Sequence, residues 1–356
     1  VAYGTLLYAQ RRALHRGVAE WYERTRPDSL SVVYPLLVQH YHNAEDVSKE
    51  CHYAGLAGEL AAGQYANQDA LAYFSRALAL TPAQDQPARL RLLLKREAVY
   101  DLMAERELQA QDLAVLAELA GQIGEAMSQA RVALRQAHYA EVTGDYPQAA
   151  GRLEQAVALS QDLQNIEAEA AALMQWGGLL WLQGDYAAAG PLLEEALSKA
   201  RQAGLPLLEA DSARNLGLVF MDQSQYPAAR RYFEQALEIY HSLGNRVGEA
   251  KALSNLGIIH SCLDDRREAR SCHEQSLQLR RSIGDLTGES IALFELGMLC
   301  DEQGDATGAL GLYAQALEIS RKIGNRRNAA LILNNIACVQ MAQGDYPAAQ
   351  QSLTQS

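Results

Sequence analysis

Three asparagines, Asn215, Asn255 and Asn335, stand in one register of the sequence, at separations that are multiples of 40 residues, and each directly precedes a Leu-Gly or Ile-Ala pair. Gln175 and Glu295 hold the same register in two further copies. An amide side chain offers two N–H donors and a carbonyl acceptor, so a column of amides can grip the backbone of an extended peptide whatever its sequence. The same column can instead spend those groups inside the protein, as hydrogen bonds within or between helices that hold the stack together. On the sequence alone both readings stay open.

Bond-making chemistry finds no such register. No GxxxxGK[ST] loop occurs, and the nearest string, Gly244 to Lys251, has the wrong spacing for a phosphate cradle. His40 and His42 lie two apart on a predicted helix, so they point to different sides and cannot share a metal. Neither GxSxG nor HExxH is present. The five cysteines, Cys51, Cys262, Cys272, Cys300 and Cys338, are odd in number and lack CxxC spacing, which predicts reduced structural thiols. These features point away from an enzyme, and from any metal or other cofactor.

The partner classes narrow in the same way. With 31 basic against 43 acidic residues the formal charge is −12, and no Lys/Arg block could neutralise a phosphate backbone, so nucleic acid is not expected as a direct partner. No apolar run approaches the roughly 20 residues that cross a bilayer, and no basic, apolar leader opens the chain, so no membrane is expected and the reading is a soluble cytoplasmic protein. Val1 is not an initiating residue, which predicts a piece of a longer chain.

The elements that must carry the amide register come from a repeat. The strings QGDYAAA at Gln183, SQYPAA at Ser224, LDDRREA at Leu263, QGDATGA at Gln303 and QGDYPAA at Gln343 recur, and their acidic members Asp145, Asp185, Asp265, Asp305 and Asp345, with Gln225 in the remaining register, give a period of 40 residues. Each string reads as the joint of a helical hairpin. Glycine ends one helix, Asp caps the next, and Pro147, Pro227 or Pro347 falls in its first turn, where no N–H is needed. Second turns recur at Gly204, Gly244-Asn245, Gly284-Asp285 and Gly324-Asn325.

Within the first helix of each unit lies Gly177, Gly217, Gly257 or Gly297, with Ala137 and Ala337 in two copies. A mid-helix glycine costs about 1 kcal/mol relative to alanine, and its repetition predicts that another helix backbone crosses there. The second helix carries Ala189, Leu193 and Ala196, then Ala229, Phe233 and Ala236, then Ala309, Tyr313 and Ala316, one stripe at i, i+4 and i+7. One unit departs, with His273 and Ser276 in that stripe.

Leu216-Gly217 and Phe220, followed by Ala229, Phe233 and Ala236, resemble the Leu-Gly, aromatic and Ala-x-x-x-Phe pattern of tetratricopeptide repeats. The 40-residue period is similar to the long-helix variety of kinesin light chains and polarity adaptors. The resemblance implies an all-α, right-handed superhelical solenoid of antiparallel helix pairs, about eight of them over residues 49–356, the stretch from Glu97 to Leu116 being the most degenerate. It implies a concave groove lined by first helices, where the asparagine column holds a peptide and Arg214, Lys251, Asp211, Asp222, Asp301 and Glu302 set side-chain preference.

Residues 1–48, with Leu6-Leu7, Arg11-Arg12 and Leu36 to Tyr41, resemble the helical connector behind the nucleotide-binding module of bacterial signal-transduction ATPases. That implies a regulatory array whose partner is a protein or peptide, with an NTPase upstream. Two alternatives remain. One is a small-molecule sensor with Trp176, Trp181 and Phe220 near its pocket. The other is a homodimer formed through a terminal repeat, because the chain stops at Ser356 within a second helix.

Overall fold

The computed structural model describes residues 7–355, the side chain of Asp28 excepted; Leu6, Val1 and Ser356 lie outside the described residues. Regular structure among the described residues is helical throughout. Helix α1 (Tyr8–Thr25) leads through a 3-10 segment (Pro27–Val33) into α2 (Tyr34–Asn43). Eight helix pairs follow among the described residues. The first helices are α3 (Val47–Gly63), α5 (Gln86–Leu102), α7 (Ala126–Thr143), α9 (Ile166–Leu182), α11 (Pro206–Asp222), α13 (Arg246–Cys262), α15 (Leu286–Glu302) and α17 (Arg326–Ala342). Their partners are α4 (Asn67–Leu80), α6 (Arg106–Ile123), α8 (Tyr146–Asp162), α10 (Tyr186–Gln202), α12 (Tyr226–Ser242), α14 (Arg266–Ile283), α16 (Ala306–Lys322) and α18 (Tyr346–Gln355). The chain divides into two compact units, residues 1–168 and 169–356.

Helix ends follow the punctuation read from the sequence. Asp145, Asp185, Asp265, Asp305 and Asp345 each accept a hydrogen bond from the backbone N–H three residues on, at 2.9–3.4 Å, whereas Gln225 makes no such cap. Asn245, Asp285 and Asn325 cap the first helices in the same way, at 2.8–3.0 Å. Gly184 takes the left-handed conformation at φ 80°, and where glycine is missing Ser224 and Asp264 are held in it at φ 59°.

The mid-helix glycines have a different cause from the one expected. A methyl group on Gly217 would stand 2.5 Å from the Phe233 ring, one on Gly257 2.5 Å from the His273 ring, one on Gly297 2.5 Å from Tyr313 and one on Gly58 2.7 Å from Phe74. The glycine receives a side chain of its own hairpin, always 16 residues on, rather than a crossing backbone. Gly177 receives Leu193 in the same way, at 2.5 Å. In the second unit His273 and Ser276 are buried with the rest of the stripe, so the polar pair lies inside the stack.

In the first unit, Tyr41 of α2 stacks on Tyr53 of α3 with centroids 5.6 Å apart. His40 Nδ1 lies 2.8 Å from His15 Nδ1, while His42 Nδ1 lies 3.2 Å from a Glu50 carboxylate, so the two histidines face apart.

The degenerate repeat of this unit is organised by charge. Glu97 of α5 occupies the register of the mid-helix glycine and is 0% exposed. Arg135 of α7 donates to it from Nε at 2.6 Å and Nη2 at 3.0 Å, and Gln109 of α6 from Nε2 at 2.7 Å. Asp101, one turn along, accepts from Arg135 Nη2 at 3.1 Å and Arg106 Nη1 at 2.7 Å and lies 3.0 Å from His138 Nε2. Burial pushes the Asp101 carboxyl up, but His138, Arg106 and Arg135 outweigh it and hold it well below its ordinary value of 3.8.

A carboxyl with a lowered folded pKa stabilises fully above its ordinary value and loses that contribution as pH falls toward the folded one. Acid titration followed by circular dichroism is therefore expected to show the wild type losing stability below about pH 4, and Asp101→Asn removing part of that slope. An identical acid profile for the variant would assign the slope to other carboxylates.

Candidate functional site

In the second unit, Pro206 opens α11 where its missing N–H costs nothing, and the spacing of Asp211, Arg214 and Asn215 sets them along one side of that helix. Asn215 is 8% exposed; its Nδ2 reaches Met174 Sδ on α9 at 3.2 Å, and its Oδ1 accepts from Arg214 Nη2 at 2.7 Å. That amide is therefore committed to stacking. The Nε of Arg214 is buried with no hydrogen-bond partner among the described residues. Asp211 Oδ1 accepts from the Tyr240 hydroxyl of α12 at 2.5 Å, and burial, then the Asp211 charge, holds that hydroxyl above its ordinary value.

One period on, α13 carries Lys251 and Asn255. Lys251 is exposed and has no ion pair among the described residues. Burial among the surrounding helices and the like charges of Arg214 and Arg280 hold its ammonium below the usual lysine value, with Asp211 and Asp285 offsetting part of the effect. Asn255 and Gln175 are half-buried and make no side-chain hydrogen bond among the described residues. Asn335 donates to the Leu331 carbonyl of its own helix at 3.0 Å.

Glu295 belongs to the interior. It accepts from Ser254 Oγ at 3.0 Å, and its carboxylate lies 3.1 Å from His273 Nδ1. Ser254 and Ser276 lie 3.0 Å apart, Ser276 donates to the Ala250 carbonyl at 2.8 Å, and Arg280 reaches both serines, at 3.0 Å from Nε and 3.2 Å from Nη2. The expected column is thus split: Asn215 and Glu295 are spent, Gln175 and Asn255 are not, and Asn335 spends one donor. Asp222 accepts from Trp181 Nε1 at 2.7 Å, while Asp301 and Glu302 are exposed at the end of α15.

Two residues that sequence reasoning passed over shape this region. Tyr240 and Arg280 fill a register that holds Ser160, Ala200 and Ser320 elsewhere, and the glycines eight residues on, Gly248 and Gly288, leave the space they need. The covarying pair was the available signal. Of the aromatic trio, Trp181 and Phe220 pack against the core, Phe220 stacked on Tyr232 with centroids 5.4 Å apart, and Trp176 is half-buried. No group of three or more His, Cys, Asp or Glu side chains able to hold a metal ion occurs among the described residues, and no helix there is long and apolar enough to cross a membrane.

A tetratricopeptide repeat family model matches residues 168–240, 207–282 and 286–356. No curated protein matches the chain in sequence. The solved structure of a Rap protein complexed with competence and sporulation factor is similar at TM-score 0.61 and 12% identity, over 95% of this chain and 99% of that one. Apo RapI is similar at 0.58 and 12%, over 75% and 96%. A signal-transduction ATPase with numerous domains and a tetratricopeptide repeat sensor, from Pyrococcus horikoshii, is similar at 0.53 and 14%, over 90% of this chain and 50% of that one. At these identities the likeness is one of fold.

Proposed function

This chain belongs to the tetratricopeptide repeat family, a family of protein–protein interaction scaffolds, and from that premise we propose that it holds an extended protein segment against first helices α9, α11, α13 and α17. The observation that carries the reading is a row of unspent polar groups: Gln175 and Asn255 without side-chain hydrogen bonds, Lys251 without an ion pair, and Arg214 with an unmatched Nε. Uncommitted amides suit the alternating donors and acceptors of a peptide backbone. Lys251 and Arg214 would take a carboxylate of the segment, and Asp211, Asp222 and Asp301 would select against acidic residues elsewhere along it.

The likeness to a signalling ATPase of which the chain spans half, together with the connector-like residues 1–48, supports a further reading: residues 49–356 are the sensing part of a larger cytoplasmic regulator. Five free thiols suit such a reducing compartment.

Selection from a random-peptide display library is expected to yield extended peptides that lose at least tenfold in affinity against a Lys251→Ala/Asn255→Ala double variant whose helicity and melting are unchanged. Equal affinity for the variant would overturn the reading.

A further inference from the structure

A groove of about 700 Å3 runs between α12 and α14, with α13 at its base. Leu237, Leu253 and Leu279 give it an apolar lining, and Glu234, Glu238 and Glu249 give it carboxylates. Glu249 and Leu253 lie one turn apart on α13, whereas Lys251 is two residues from Glu249, about 200° around the helix. The groove is therefore on the side of α13 away from Lys251 and Asn255.

Its charge is arranged differently from that of its repeat equivalents. Across each hairpin-to-hairpin turn a cation meets a glutamate: Arg201 with Glu209 at 2.8 Å, His241 with Glu249 at 2.9 Å, Arg281 with Glu289 at 2.7 Å. Only in this groove is the cation a histidine, which unlike arginine can be neutral near physiological pH. Glu209 has a second donor, Gln235 Nε2 at 3.0 Å; the equivalent Gln275 turns to Ser271 instead, at 3.0 Å, and leaves Glu249 with His241 alone. Glu238 stands where the neighbouring repeats have Ser198 and Gln278. The fixed cation beside these carboxylates is Arg230, 2.7 Å from Glu234 and on the exposed surface.

We propose that this groove is a second docking site, occupied by an amphipathic helix of a partner protein that places leucine-like side chains on Leu237, Leu253 and Leu279 and arginine or lysine beside Glu238 and Glu249. The apolar lining supplies the contact area of a helix-in-groove interaction. The carboxylates supply charge complementarity, and a chain of net charge −12 attracts a basic segment and repels a second copy of itself. A partner guanidinium beside Glu249 would restore the pairing that Arg201 and Arg281 provide in the flanking repeats.

The test uses a labelled 18-residue helical peptide with Leu at i, i+3, i+4 and i+7 and arginine on the remaining face, beside a counterpart with glutamate for arginine, read by fluorescence anisotropy. The expected result is at least tenfold tighter binding of the basic peptide by the wild type. His241→Arg, which installs the neighbours' own cation without removing a packed group, combined with Glu238→Gln, should weaken it at least tenfold. Glu209→Gln in the adjacent repeat and the Lys251→Ala/Asn255→Ala pair should leave it unchanged. Three results would overturn the proposal: no measurable binding, an unchanged affinity for the groove variant, or an equal loss in either control, which would put the peptide on general surface charge or on the first-helix row.

Discussion

Replacing Glu97 with alanine is expected to lower the unfolding free energy of the first unit by about 3–5 kcal/mol. The carboxylate is fully enclosed and receives Arg135 through two hydrogen bonds and Gln109 through a third. Its removal strands a guanidinium among apolar helices with only Asp101 to answer it. The pair as a whole need not be stabilising, because desolvating both charges offsets their attraction. A Glu97→Leu/Arg135→Met double variant should therefore recover most of the loss. Urea unfolding of the three proteins decides the matter. A single-variant loss below roughly 1 kcal/mol would mean that water screens the pair as it does a surface salt bridge.

Gly217→Ala is expected to destabilise the second unit by roughly 1–3 kcal/mol through overpacking, although alanine is the better helix former by about 1 kcal/mol. The new methyl would meet the edge of the Phe233 ring, which is anchored in the core and has nowhere to withdraw. Elsewhere in the chain the same two positions show the remedy. Ala137 faces Leu153 and Ala337 is followed at the same interval by Leu353, while the rings Phe74, Phe233, His273 and Tyr313 are all matched by glycine. Adding Phe233→Leu to Gly217→Ala should thus cost less than the two changes do separately, by on the order of 1 kcal/mol in a double-mutant cycle. Strict additivity would show that the glycine serves some other purpose.

Features with local causes were legible in the sequence. The period, the Asp caps and the turn glycines act within three or four residues, so their spacing states their role. The mid-helix glycine was legible as a close approach but not as to what approaches, because its partner lies a whole helix away. Glu97 was not legible: a carboxylate in a glycine register reads as decay of the repeat until Arg135, in the next hairpin, folds onto it. The candidate site divides along the same line. Asn215 and Asn255 share residue type and register, yet one is spent on Arg214 and Met174 and the other is not. That difference is set by which side chains the adjoining helices happen to supply.

The fit of Tyr240 into Gly248, and of Arg280 into Gly288, spans the joint between successive hairpins, so each of these repeats is keyed to its successor. Loss of residues 241–280, one period, would join Tyr240 to the segment bearing Gly288 and still set a large side chain against a glycine. Loss of residues 281–320 would set Arg280 against Asn328, whose own side chain claims the space. Unequal recombination can therefore shorten this gene at some joints and not at others, and the order of the repeats becomes a record of which exchanges its ancestors could survive.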